Sequence, residues 1–264
     1  MKVFILSSEA DAVQYAASIV IEAIASKPNA VLGLATGGTM VPLYRRIVQI
    51  YRDKNLSFRK LTTFNLDEYV GLSPDHPASF HAYMRDVLFD HVDIDLANTH
   101  LLCGDTENLG AEADRYETAI ETAGGLDLQL LGIGQNGHIG FNEPMSSLAS
   151  RTRVKTLSAS TIAANSRYFE EGVTPPKYAL TMGIGTILEA RHCVMLATGG
   201  KKAEPVKAAV EGPVSVACPA SALQLHPKST LILDKAAASK LMYLDYYQHV
   251  HLEGEKNEAK QSGT

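Results

Sequence analysis

The sequence predicts an α/β fold, a single Rossmann-like domain with a mostly parallel sheet covered by helices on both faces. Three observations carry this. Short β-branched runs alternate with amphipathic stretches from end to end. The runs are apolar throughout rather than alternating, as strands buried on both faces must be. The 264-residue chain also shows no internal repeat and no Pro/Ser-rich linker that would divide it. Residues 1–254 are therefore expected to form one domain. The polar EKNEAKQSGT at 255–264 has the composition of a disordered tail.

Taken in order, VFIL (3–6) reads as a buried strand, and residues 9–25 come next with helical spacing behind a Ser7 or Ser8 cap. VLGLAT (31–36) is the next strand, succeeded by a Gly-rich turn and a helix over about 41–52. LTTFNLDEY (61–69) begins as a strand and ends in polar residues. FHAYMRDVLFDHV predicts a helix, HLLC a strand and AEADRYETAIET a helix. LDLQLLGIG (126–134) is the most hydrophobic strand of the middle region. YALTMGIG, CVMLAT and STLILD are further strands, and KAEPVKAAV is a helix with Pro205 in its first turn.

Composition narrows the function classes. Lys and Arg total 24 against 29 Asp and Glu, a net of −5, which argues against coating nucleic acid or an anionic membrane surface. It leaves room for a local basic pocket. Cys103, Cys193 and Cys218 form no CxxC pair, and a reducing compartment fits them. The N-terminus turns polar too early for a signal peptide. No apolar run approaches the roughly 20 residues of a membrane span. A cytoplasmic protein is expected.

Open parallel sheets bind ligands beyond the carboxyl ends of their strands, so the loop after each strand is the place to look for chemistry. After VLGLAT comes ATGGT, where Thr36, Gly37, Gly38 and Thr39 combine a tight turn, hydroxyls and a helix N-terminus suited to phosphate. It matches neither the Walker A spacing nor GxGxxG, and by itself it is equally an ordinary strand-to-helix turn. FNLDEYVGL (64–72) supplies paired carboxylates, and Asp67 would gain basicity if it were buried in a pocket. LGIGQNGHIGFNEP (131–144) surrounds His138 with glycines just beyond a strand, and Asn136 and Glu143 are close enough in sequence to orient it. Arg167 in ANSRYF and Lys201 and Lys202 in TGGKKAEP could join ATGGT in one anion pocket. RTRVKT (151–156) is a further basic cluster, read most simply as an exposed strand or loop edge.

Together ATGGT, FNLDEYVGL, GIGQNGHIGFNEP, SSLASRTRVKTL, ANSRYF and ALQLHPK resemble the glucosamine-6-phosphate deaminase family, in order and without large gaps over about 31–228. The resemblance implies conversion of glucosamine 6-phosphate and water to fructose 6-phosphate and ammonia, in N-acetylglucosamine catabolism, with no cofactor and no metal. It implies Asp67 as the base that moves the C2 proton. His138, supported by Asn136 and Glu143, would assist ring opening. Thr36, Gly37, Gly38, Thr39, Arg167 and Lys202 would hold the phosphate. Some members carry Asp where this chain has Asn136. An Asn oxygen could still accept from the imidazole and fix its tautomer, while stabilising imidazolium less than Asp would. Many members are hexamers activated by N-acetylglucosamine 6-phosphate between subunits, and residues of that site match at Ser146, Arg153, Lys155 and, less closely, Tyr246. A homo-hexamer with that effector is the corresponding expectation, against shorter members that are monomeric and unregulated.

The same residues admit two rivals. A 6-phosphogluconolactonase would share the fold and the phosphate loop but hydrolyse an ester, and NGHIGFNEP with SSLASRTR after it favours the deaminase. A non-catalytic sugar-phosphate sensor would normally add a helix-turn-helix domain, for which a chain whose first strand starts at about residue 3 leaves no room.

Overall fold

A computed structural model describes residues 1–54, 56–170 and 172–250, so the expected tail at 255–264 lies outside the described residues. The chain opens with β1 (Lys2–Leu6) and α1 (Glu9–Ser26). Ser8 caps that helix by accepting from the Asp11 N–H at 3.1 Å. Ala12, Ala16, Val20 and Ile24 make its buried stripe at helical spacing. Next come β2 (Val31–Leu34), α2 (Met40–Lys54) and β3 (Thr62–Asn65). After a bend at Leu66 the chain continues as β4 (Asp67–Tyr69), α3 (Phe80–Val87) and β5 (Thr99–His100). The remainder runs α4 (Leu109–Thr122), β6 (Leu128–Leu131), β7 (Arg153–Thr156), α5 (Ala159–Asn165), β8 (Tyr178–Thr181), α6 (Ile184–Leu188), β9 (Cys193–Ala197), α7 (Ala203–Val210) and β10 (Ser229–Asp234).

Seven strands form one sheet in the order β1-β10-β9-β6-β2-β3-β5. Every pairing within it is parallel. β2, β6, β9 and β10 are buried along their whole length. Each Leu, Ile or Val so removed from water contributes roughly 1.5–3 kcal/mol. The strand-and-helix alternation therefore gives the fold class that was expected.

Three details differ from the sequence expectation. β1 is an edge strand in which only Val3 is buried, because it pairs on one side alone. The strand expected at HLLC shrinks to two residues, since the Cys103 N–H leaves the ladder for the Glu112 carboxylate at 2.8 Å. YALTMGIG does not join the parallel sheet. Its strand β8 is the centre of a second, antiparallel sheet, β4-β8-β7, with RTRVKT forming the exposed edge.

The two sheets meet at Leu66. Its N–H bonds Leu34 O at 3.0 Å in the large sheet, and its carbonyl accepts from Met182 N at 2.7 Å beside the small one. Asp67, one residue later, is in register with Thr181. A residue fixed from both sides in this way has little freedom to drift.

Candidate active site

Strands β9, β6, β2 and β3 are consecutive neighbours, so the loops after their carboxyl ends lie side by side. The chain order reverses between β2 and β6, the switch point at which open α/β sheets form ligand crevices. The result is a cavity of about 500 Å³. Its wall brings together Thr36, Gly37, Gly38, Thr39, Asp67, His138, Arg167 and Lys202 from five separate stretches of sequence. Asn136 and Glu143 lie behind His138 rather than on the wall.

Asp67 is only 5 % exposed. Burial, then the neighbouring Glu68 charge, push its carboxyl up to about 8, while the Phe141 amide offsets part of this. Space beside it is kept by Gly140, whose φ is +56°. A Cβ there would stand 3.3 Å from Asp67 Oδ2 and 3.1 Å from Thr181 Oγ1. The other half of the DE pair does different work. Glu68 accepts from the Tyr69, Phe80 and His81 N–H groups at 2.8, 2.9 and 3.2 Å, and its Oε2 lies 3.0 Å from His81 Nδ1. It thereby satisfies amides at the start of α3 that have no partner inside the helix.

His138 lies over Gly134, where a Cβ would stand 2.3 Å from the ring, so only glycine admits the imidazole. Its Nδ1 is 3.8 Å from Glu143 Oε2, an ion-pair distance rather than a hydrogen bond. Asn136 does not contact the ring as the sequence suggested. Its Oδ1 accepts from the His138 backbone N–H at 3.2 Å, and its Nδ2 donates to Glu143 Oε2 at 2.7 Å. The side chain thus fixes the loop and the carboxylate, because an amide can serve an N–H and a carboxylate at once. Glu143 Oε1 accepts from Ser158 N and Oγ at 3.1 and 3.0 Å. Burial alone would raise the Glu143 carboxyl, but the imidazole, Thr161, Asn136 and Ser158 together hold it well below the ordinary carboxylate range.

The far end of the cavity is cationic. Tyr83 Oη donates to Gly37 O at 2.9 Å and anchors the glycine turn, from which α2 starts. Arg167 reaches the same turn from the 3-10 segment Ser166–Tyr168 after α5, with a Gly38 Cβ position only 3.8 Å from its Nη2. Lys202 Nζ donates to Ile133 O, and its amine is pushed down by burial and then by the Arg167 charge. Among the described residues neither cation has a carboxylate within ion-pair distance. Two cations set side by side across a glycine turn make a seat for an anion.

Of the residues matched to a second site, Ser146 and Arg153 flank one short segment. Ser146 N bonds Glu143 O at 3.0 Å, and Arg153 Nη1 donates to Asn142 Oδ1 at 2.9 Å. Lys155 shares a strand face with Arg153. Tyr246 belongs to a helical stretch at 244–250, and its preceding residues Met242 and Tyr243 pack on α7 through Glu211. Sequence reasoning missed Tyr83 and Ser158, and took Gly140 only as one of the glycines around His138. Only Gly140 stood in a motif that carried a signal, and nothing local marks a tyrosine or serine that arrives from another element. Among the described residues no group of three or more His, Cys, Asp or Glu side chains could hold a metal ion.

The family of glucosamine-6-phosphate isomerases and 6-phosphogluconolactonases matches residues 7–232. A glucosamine-6-phosphate deaminase of Shewanella woodyi is 52% identical over 256 residues, covering 97% of each chain. A solved structure described as a monomeric glucosamine-6-phosphate deaminase superposes with a TM-score of 0.89 at 48% identity, covering 91% of this chain and 100% of the other. The 6-phosphogluconolactonase of Trypanosoma cruzi shares the fold, with a TM-score of 0.73 at 23% identity over 91% of this chain and 97% of its own. With the match spanning most of its length and relatives above half identity, the chain belongs to the family of glucosamine-6-phosphate isomerases and 6-phosphogluconolactonases.

Proposed function

We propose that the protein is a glucosamine-6-phosphate deaminase, converting glucosamine 6-phosphate and water to fructose 6-phosphate and ammonia. The observation that carries this is Asp67. A carboxyl held near neutrality in the same cavity as an imidazole and two cations suits proton abstraction next to a carbonyl. The phosphate docks on Arg167, Lys202 and the turn of Thr36, Gly37, Gly38 and Thr39. His138, backed by ionised Glu143, moves the proton that opens the pyranose ring. Only the open-chain aldehyde makes the C2 proton acidic enough for a carboxylate. Asp67 then takes that proton and returns it at C1, leaving an imine at C2. Water adds to that imine carbon and ammonia leaves. Ammonia release from glucosamine 6-phosphate tests the reading, and hydrolysis of 6-phosphogluconolactone without ammonia release overturns it.

The finer reading is a cytoplasmic, hexameric enzyme of N-acetylglucosamine catabolism, activated by N-acetylglucosamine 6-phosphate at Ser146, Arg153, Lys155 and Tyr246. Among the described residues the buried Ser146 Oγ has no hydrogen-bond partner, and burial lowers the Arg153 guanidinium, both of which favour an incoming anion there. The monomeric solved relative favours a single chain instead. Sedimentation together with initial rates, with and without the acetylated sugar phosphate, separates the two. A monomer with hyperbolic kinetics that ignores the effector refutes the regulated reading. Among the described residues no helix is long and apolar enough to cross a membrane.

A further inference from the structure

We infer that Tyr168 is a phosphate-binding residue of this site, its hydroxyl acting with Arg167 as a paired donor over the glycine turn. The inference rests on the sugar-phosphate reading above. Tyr168 is 45 % exposed, yet its hydroxyl points inward onto the cavity wall. A Cβ built on Gly38 would lie 3.3 Å from Tyr168 Oη and 3.8 Å from Arg167 Nη2, so both donor groups converge on that residue of the turn. Arg167 Nη2 donates to Tyr168 Oη at 2.7 Å, and the guanidinium carbon sits 4.8 Å from the centre of the Tyr168 ring.

This geometry assigns the hydroxyl a direction. A phenol has one hydrogen to give and two lone pairs to receive. The guanidinium uses a lone pair, and since no acceptor among the described residues takes the O–H, it can donate to a phosphate oxygen above the turn. The same contact, with the cation against the ring face, holds an otherwise exposed arginine where its remaining N–H groups face the seat. A phenylalanine in this position would keep the ring contact and lose the hydroxyl. Tyr83 does not duplicate the role, because its own hydroxyl is already given to Gly37 O at 2.9 Å.

The test is Tyr168→Phe, read first by calorimetric binding of inorganic phosphate and second by steady-state kinetics on glucosamine 6-phosphate. One charge-assisted hydrogen bond corresponds to about tenfold in affinity. The expected result is an inorganic-phosphate Kd and a KM that both rise by about that factor, with kcat changed far less and the thermal midpoint retained. An unchanged phosphate Kd overturns the inference. So does a fall in kcat alone, which would place the hydroxyl in chemistry rather than anchoring. If the wild-type protein releases no ammonia yet Tyr168→Phe still weakens phosphate binding, the deaminase reading fails and the anchoring role stands.

Discussion

Replacing Asp67 by Asn should make the protein more stable as it makes it inactive, by an amount that depends on pH in a defined way. In the folded chain the Asp67 carboxyl titrates at about 8, against 3.8 for a solvated one. Between those values folding takes up a proton, so the acid's contribution to stability is full below pH 4 and is lost as pH rises towards 8. The slope is about 1.4 kcal/mol per pH unit for one group, and three units separate 3.8 from pH 7. The penalty carried by the wild type at pH 7 is therefore about 4 kcal/mol, a large share of the 5–15 kcal/mol typical of a domain. Asn is nearly the same size and carries no charge to desolvate. Denaturant unfolding at several pH values between 5 and 8 should show the variant gaining on the wild type by about that slope, with unchanged m-values. Activity should fall on the order of 10²–10⁴-fold, the usual worth of a general base. Parallel stability curves would refute the burial argument. Near-normal activity would refute the base role even if the stability difference appeared.

Three other substitutions probe the rest of the site. Gly140→Ala places a Cβ 3.3 Å from Asp67 Oδ2 at a φ of +56°. It should cost about 1–2 kcal/mol of stability, read as a lower melting midpoint, and lower kcat by displacing the base. Asn136→Asp exchanges the amide donor 2.7 Å from Glu143 Oε2 for a second carboxylate, and the pair can then be accommodated only by holding a proton. The acid limb of the pH–rate profile should move to higher pH, and an unchanged profile would sink the idea. Lys202→Met removes an amine whose proton affinity burial and Arg167 already lower. For a base, a depressed folded value means that the bound proton destabilises the fold at neutral pH. Thermal stability should therefore rise while KM for the sugar phosphate increases by about tenfold or more.

What could be read from the sequence depended on whether the signal was local. Period and apolar runs are local, so the parallel sheet and its helices were legible, as were the loops after β2, β3, β6 and β9 where the chemistry lies. The second sheet was not. YALTMGIG is apolar enough for either sheet, and its antiparallel place is decided by its pairing with β4 and β7 and by the bond of its Met182 N–H to Leu66 O, all partners outside the segment. Edge status was invisible for the same reason, which is why VFIL looked buried although β1 pairs only with β10. In the site, residues inside Gly-rich motifs could be picked out, whereas Ser158 gains its contact with Glu143 only through the fold. Asn136 shows the intermediate case. Its presence near His138 was readable, but its partner was not, since one amide can reach a ring, an N–H or a carboxylate.

The division of labour among the buried carboxylates arises from donors rather than from depth. Asp67 and Glu143 are each 5 % exposed and Glu68 is 1 % exposed, so depth does not separate them. Glu143 is met by Asn136 Nδ2, Ser158 N and Ser158 Oγ, and Glu68 by three backbone N–H groups. Donors of that kind stabilise a negative charge and leave nothing for it to do except orient its neighbours. Asp67 has no comparable set, and the adjacent Glu68 charge pushes it the other way. Asp67, unlike Glu143, therefore gains by accepting a proton near neutrality, which is what a base at a carbon acid requires. The glycine at 140 contributes to this by absence. Any side chain there would crowd the oxygen that must receive the proton.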